Sequence, residues 1–156
     1  MFGARPFEKD EILELLSGIG DCRPIQQTKN ILILNIDGVK VDFVNYKYPL
    51  IQELKLEAGI RLIDLPDIAA MKLGAITGRG RKRAFINLYF LLQQYSLKAL
   101  LAFYNQKYPD GAEFLVARSL TYFEDADGDE DLHLFLRANW SEVKKTITQE
   151  VKKLFK

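Results

Sequence analysis

The sequence predicts an α/β (α+β) fold, a small mixed β-sheet with a helical C-terminal half. Three observations carry that expectation. The stretch ILILNIDGVKVDFVNY, residues 31–46, has two β-rich runs around Asp37-Gly38, a strong hairpin signal. The stretch DLPDIAAMKLGAITGRGRKRAFINLYFLLQQY, residues 64–95, has the period of two helices joined by a basic glycine turn. A content of 48% hydrophobic and 28% charged residues in 156 is the balance of a globular domain. The expected division is a sheet unit over 1–63 and a helical half over 64–156, packed as one compact domain.

In chain order, residues 7–19 place Phe7, Ile12, Leu15, Leu16 and Ile19 on one side and acids elsewhere, an amphipathic helix stopped by Gly18 and Gly20. In the second strand of the hairpin Val39, Val41 and Phe43 point one way, and Lys40, Asp42, Val44 and Tyr46 the other. Asp42 is thus a carboxylate between apolar neighbours. It is either a surface or turn-binding group, or a metal ligand or general base held on a rigid strand. Residues 47–63 form a loop followed by a short apolar run, Ile60 to Ile63, that suits a further strand.

The helix pair is the centre of the chain. Asp64 is its N-cap, with Pro66 and Asp67 in the first turn. At 100° per residue, Ile68, Met71, Lys72, Ala75 and Ile76 share one face, which sets Lys72 in an apolar stripe. Such a lysine either snorkels to the edge or meets something anionic. Arg79, Arg81, Lys82 and Arg83 then crowd the start of the second helix. They form either a solvated turn or a phosphate site. Phe85, Leu88, Tyr89, Leu92 and Tyr95 make one stripe that Ile86, Phe90 and Leu91 widen, so the second helix is packed on more than one side.

Beyond it, 97–108 is a helix with Leu97, Leu100, Leu101 and Tyr104 inward, and 112–123 another, with Phe114, Leu115, Ala117, Leu120 and Tyr122 available for packing. The run EDADGDED, 124–131, alternates Asp125, Asp127, Asp129 and Asp131 but has Leu136 where a calcium loop needs a bidentate Glu, so it reads as a solvated acidic loop. His133 is the one histidine on which any His-dependent site would rest. The last segment puts Val143, Ile147, Val151 and Leu154 on one helical face.

A net charge of +1 argues against a strongly electrostatic nucleic-acid binder, leaving local patches. One cysteine, Cys22, excludes an internal disulfide and a cysteine-rich zinc site. No run approaches the roughly 18 apolar residues of a membrane span, and no signal-type segment opens the chain. No membrane partner and a cytoplasmic setting are expected.

GVKVDFVNYKYPLI, then GIRLIDLPDIAAMKLGAITGRGRKRAFINLYFLL, then ARSLTYFEDAD and a closing W-x-x-V-K helix resemble the AbiEii/AbiGii-type toxin nucleotidyltransferase family. The similarity keeps its order over nearly the whole chain. It implies a DNA-polymerase-β-like sheet and Mg²⁺-dependent transfer of a nucleoside monophosphate from an NTP to an acceptor, a tRNA in characterised relatives. It also implies an antitoxin protein as partner in a bacterial toxin–antitoxin system. Under the resemblance Asp42 matches the third metal-binding carboxylate, and Lys72 with Arg79, Arg81, Lys82 and Arg83 matches the triphosphate and substrate region.

Three departures qualify it. The family's D-x-D strand belongs before PFEKDEIL, where Met1-Phe2 stand at the place of its last apolar residues. The acid after the basic turn is Ala84, and the acid three residues later is Asn87. One metal-ligating Asp of three cannot clamp both oxygens of a transfer. The expectation is an N-terminally truncated homologue, inactive as this chain, with Asp42 a vestigial ligand. The alternative is a non-enzymatic module that binds an antitoxin-like protein or RNA through the same basic face. A sheet short of one strand would expose an edge, so a homodimer is expected.

Overall fold

Asp37 and Gly38 adopt φ of 49° and 87°, the left-handed pair that a two-residue type I′ hairpin turn requires. The Asn35 side-chain oxygen accepts the Gly38 N–H at 2.8 Å and closes the turn. The computed structural model describes residues 2–3, 7–130 and 138–155, with side chains from residue 7. Among them the order is β1 (Phe2–Gly3), α1 (Lys9–Ser17), β2 (Cys22–Gln27), β3 (Ile31–Ile36), β4 (Val39–Asn45), β5 (Lys55–Glu57), β6 (Ile60–Leu62), α2 (Leu65–Arg79), α3 (Lys82–Leu91), α4 (Leu97–Lys107), α5 (Glu113–Ser119), α6 (Glu124–Asp127) and α7 (Trp140–Leu154). This is a mixed α+β chain, as expected. No helix among the described residues is long and apolar enough to cross a membrane.

The chain divides into two compact units, Met1–Pro49 and Leu50–Lys156. In the first, the sheet order is β1-β4-β3-β2, with β1 parallel to β4 and the other pairs antiparallel. The β3–β4 register pairs Leu32 with Phe43 and Leu34 with Val41, and both leucines are fully buried. Ile33 and Asp42 face each other on the opposite side, where Asp42 is exposed. Sequence patterning assigned nothing to 22–27, because CRPIQQ lacks the alternation that marks a half-buried strand. It forms an edge strand, the one place a strand tolerates Pro24, and its register slips between Pro24 and Gln26. The α1 helix forms as expected, but Leu15 and Ile19 stay exposed and no residue of α1 is buried.

In the second unit the expected strand at 60–63 is half of a two-stranded hairpin, β5–β6, turned by Ala58 and Gly59 at positive φ. Polar contacts bind this segment to α2 rather than to the sheet with which the sequence grouped it. Lys55 Nζ lies 2.8 Å from Asp64 Oδ1. The same carboxylate accepts the Leu65 N–H at 2.7 Å, and the two contacts, Lys55 first, hold its pKa down. Asp67, expected as a first-turn dipole partner, is completely buried. It accepts the Ile51 and Gln52 N–H groups at 3.1 Å and the Lys107 ammonium at 2.6 Å.

The buried face of α2 runs through Ala69, Ala70, Leu73 and Ile76, not through the larger residues of the expected stripe. Of that stripe only Ile76 is buried; Ile68, Met71 and Lys72 are half-buried and Ala75 is exposed. Alanines let the α2, α3 and α4 backbones approach closely, a feature that residue size hides in a periodicity count. The α3 helix buries Phe85, Ile86, Leu88 and Leu91 as expected of a central helix, and Leu97, Leu100, Leu101 and Tyr104 of α4 are buried too. Each such side chain contributes roughly 1.5–3 kcal/mol. In α5 the inward residues are Val116 and Ala117, followed by Leu120, whereas Phe114, Leu115 and Tyr122 point to solvent. The helix runs only from Glu113 to Ser119, shorter than the expected 112–123, so Tyr122 lies beyond its end. Val143, Ile147 and Val151 of α7 close the core.

Candidate anion site at the α2–α3 turn

The α2 helix runs through Gly78 and Arg79, so the turn is tighter than the sequence suggests. Gly80 takes the left-handed conformation at φ 45°, and its N–H donates to the Ile76 carbonyl at 3.0 Å. Arg81 stands at the N-cap of α3 but makes no side-chain cap bond. The cap comes from Asp129, 47 residues away, whose Oδ2 accepts the Lys82 N–H at 2.8 Å. Its Oδ1 meets the Arg81 guanidinium at 2.9 Å, and its backbone carbonyl accepts from Lys82 Nζ at 2.6 Å.

The acidic run is therefore structural rather than simply solvated. Asp127 Oδ1 accepts from Trp140 Nε1 at 2.6 Å and from Lys144 Nζ at 2.8 Å. The Lys144 bond, then the Trp140 bond, holds the Asp127 pKa below the usual carboxylate range. Lys82 and Lys144 ammoniums lie 5.7 and 5.6 Å from the Trp140 ring centre. Beneath them Phe85, Phe123 and Trp140 pack ring to ring at 5.0–6.0 Å. Arg81, Lys82, Arg83, Gly128, Asp129 and Glu130 line an open cleft of about 590 Å³.

The five basic residues expected at a phosphate site thus fall into two sets. Arg81 and the buried Lys82 are engaged by Asp129. Lys72, Arg79 and Arg83 have no acidic partner among the described residues. Lys72 is half-buried on the flank of α2; its pKa is lowered by burial first and by the charge of Arg83 second. The structure therefore holds two like charges near each other with one partly desolvated, an arrangement that an anion would relieve.

Asp42 belongs to the first unit. Its carboxylate is about half exposed, with the Lys40 ammonium 3.7 Å away. Among the described residues no group of three or more His, Cys, Asp or Glu could hold a metal ion. Asp42 facing a lysine does not fit a two-metal centre. Ala84 lies in the core and Asn87 is half-buried, so neither offers a replacement acid. Asp131, His133 and Leu136 lie outside the described residues.

Sequence reasoning missed Asp129 as a cap and Asp67–Lys107 as a buried pair. Helix-start rules look for a cap at the adjacent residue, and no local signal joins positions 47 or 40 residues apart.

No family model matches the chain, and no solved structure matches it. It is 34% identical over 155 residues, 97% of this chain and 74% of the relative, to the uncharacterized protein aq_aa25 of Aquifex aeolicus. Similarity at that level over almost the whole chain shows that the protein belongs to the same family as the Aquifex protein.

Proposed function

We propose that the chain is a nucleotidyltransferase-like protein of the AbiEii toxin type whose α2–α3 turn binds the triphosphate of an NTP. One observation carries the reading: a half-buried Lys72 beside Arg83, with no acid on either among the described residues. A half-buried ammonium next to a guanidinium is costly unless an anion completes it. Three cations at a helix junction are suited to several phosphate oxygens, Arg79 and Arg83 as forked donors and Lys72 as a point charge.

The sequence resemblance adds the rest of the proposal, an acceptor such as tRNA and an antitoxin-like protein partner, and the cytoplasmic setting expected from the sequence is kept as part of it. It also brings Mg²⁺, whose chemistry would be to neutralise the phosphates of the transfer. Asp42 alone does not make that site, so no transfer step is assigned to these residues. Nucleotide binding without transfer is the activity proposed for this chain.

Calorimetry with ATP and GTP tests the reading. Arg79→Ala with Arg83→Ala should weaken binding at least tenfold and flatten its salt dependence. Equal binding by the double variant and the parent chain would remove the turn from the site. Binding of short RNA in place of nucleotide, abolished by the same substitutions, would move the assignment to an RNA-binding module.

A further inference from the structure

Residues 50–62 gather five large apolar side chains, Leu50, Leu54, Leu56, Ile60 and Leu62, each between 40% and 70% exposed. Within them β5 and β6 form a two-stranded sheet with no third strand among the described residues. Every residue of both strands is exposed, and a lone ribbon of this kind is marginal in water. Asp64 and Asp67 tie its base to α2 through Lys55 and the Ile51 and Gln52 N–H groups. The strands themselves stay uncovered.

The register decides which backbone groups face outward. Ala58 and Gly59 make a two-residue turn with φ of 48° and 79°, so Glu57 and Ile60 on its flanks exchange both backbone hydrogen bonds. The alternation of an antiparallel ladder then bonds Lys55 to Leu62 and turns the N–H and C=O of Leu56 away from β6. Leu56 is also the most exposed of the five apolar residues, at 70%. Around it the strand Lys55-Leu56-Glu57 is self-complementary. Antiparallel pairing of two copies sets Leu56 against Leu56 and each Lys55 opposite a Glu57, a favourable cross-strand pair. The other strand, Ile60-Arg61-Leu62, has no such match, since pairing with itself would set Arg61 directly against Arg61.

We propose that the open edge of β5 is a homotypic strand-addition site, where two copies join their hairpins into one four-stranded antiparallel sheet. The two Leu56 residues exchange two backbone hydrogen bonds and pack together on one face. Ile60 and Leu62 of both copies share the opposite face with two Lys55–Glu57 pairs. Four strands with an apolar face supply what a two-stranded ribbon lacks. This surface is independent of the anion reading of the α2–α3 turn.

The experiment is sedimentation of the parent chain, of Glu57→Lys, of Lys55→Glu, and of the two variants mixed in equal amounts. The parent should sediment as a dimer at tens of micromolar. Each variant alone sets like charges opposite each other twice and should dissociate at least tenfold more readily, whereas the mixture restores both pairs and should regain the dimer. A melting curve checks that the variants fold. A second measurement does not depend on the charges. Leu56→Cys in a Cys22→Ser background, which removes the single native cysteine, should link copy to copy on mild air oxidation, because directly bonded residues of such a pair lie about 5.5 Å apart. A parent chain that sediments at 17.9 kDa would overturn the proposal and leave this edge to a different partner. Folded variants as dimeric as the parent would also overturn it, moving the contact to another edge such as Val39–Phe43 of β4. So would a mixture that stays monomeric, or a Leu56→Cys chain that does not cross-link.

Discussion

At the scale of single residues, two charges are held by the core and one by the surface, and they predict different things. Asp67 and Lys107 are each fully buried and 2.6 Å apart. Lys107→Met leaves the Asp67 carboxylate with only backbone donors, and removal of one partner of such a pair costs about 3–5 kcal/mol. The Ile51 and Gln52 N–H groups remain to share that charge, so urea denaturation should report the lower end of that range. Asp127 is different, because its effect appears in pH. Its pKa is lowered by Lys144 and Trp140 in the folded chain, so the unfolded chain binds more protons between the folded and unfolded values. Its contribution is fully present above the unfolded pKa of about 4 and is lost as pH falls through the folded pKa. Melting curves between pH 6 and pH 2 should therefore show a shallower acid loss for Asp127→Asn than for the parent chain.

At the scale of elements, legibility followed chemistry that is local. The Asp37-Gly38 hairpin was readable because both residues suit positive φ, and Gly38→Ala at φ 87° should cost about 1 kcal/mol in a denaturant titration. The N-cap of α2 and the inward face of α4 were readable for the same reason, since each is set within one or two turns of chain. The edge strand β2 was not, because its polar, proline-bearing sequence follows the demands of an edge rather than of a core. The buried face of α2 was misphased because helix packing chose alanines over larger residues. The acidic run defeated local reading altogether. Asp127 and Asp129 find their partners on α7 and at the start of α3, and charge density alone suggested only solvent.

At the scale of the whole molecule, two features point beyond a lone chain. In the first unit β1 pairs with β4 only at Val44 and Asn45, so among the described residues no strand pairs with Val39–Phe43 on that side. Leu15, Ile19, Ile25 and Val39 are exposed in the same unit. An open edge with apolar neighbours is a template for a second copy, and light scattering at tens of micromolar should give twice the 17.9 kDa chain mass. A monodisperse species of 17.9 kDa would mean that the edge is protected in another way. In the second unit, Lys72, Arg79 and Arg83 have no acidic partner among the described residues and mark the place where stability and the proposed binding should oppose each other. Lys72 spends its charge against burial and against Arg83, so Lys72→Met should raise the melting temperature by about 1–3 °C. The most direct test of the anion site is a calorimetric titration of ATP into that same variant at low salt. Affinity at least tenfold weaker than in the parent chain, in a protein that is no less stable, is the expected outcome. Unchanged affinity would contradict it, and Lys72 would then be a snorkelling lysine and nothing more.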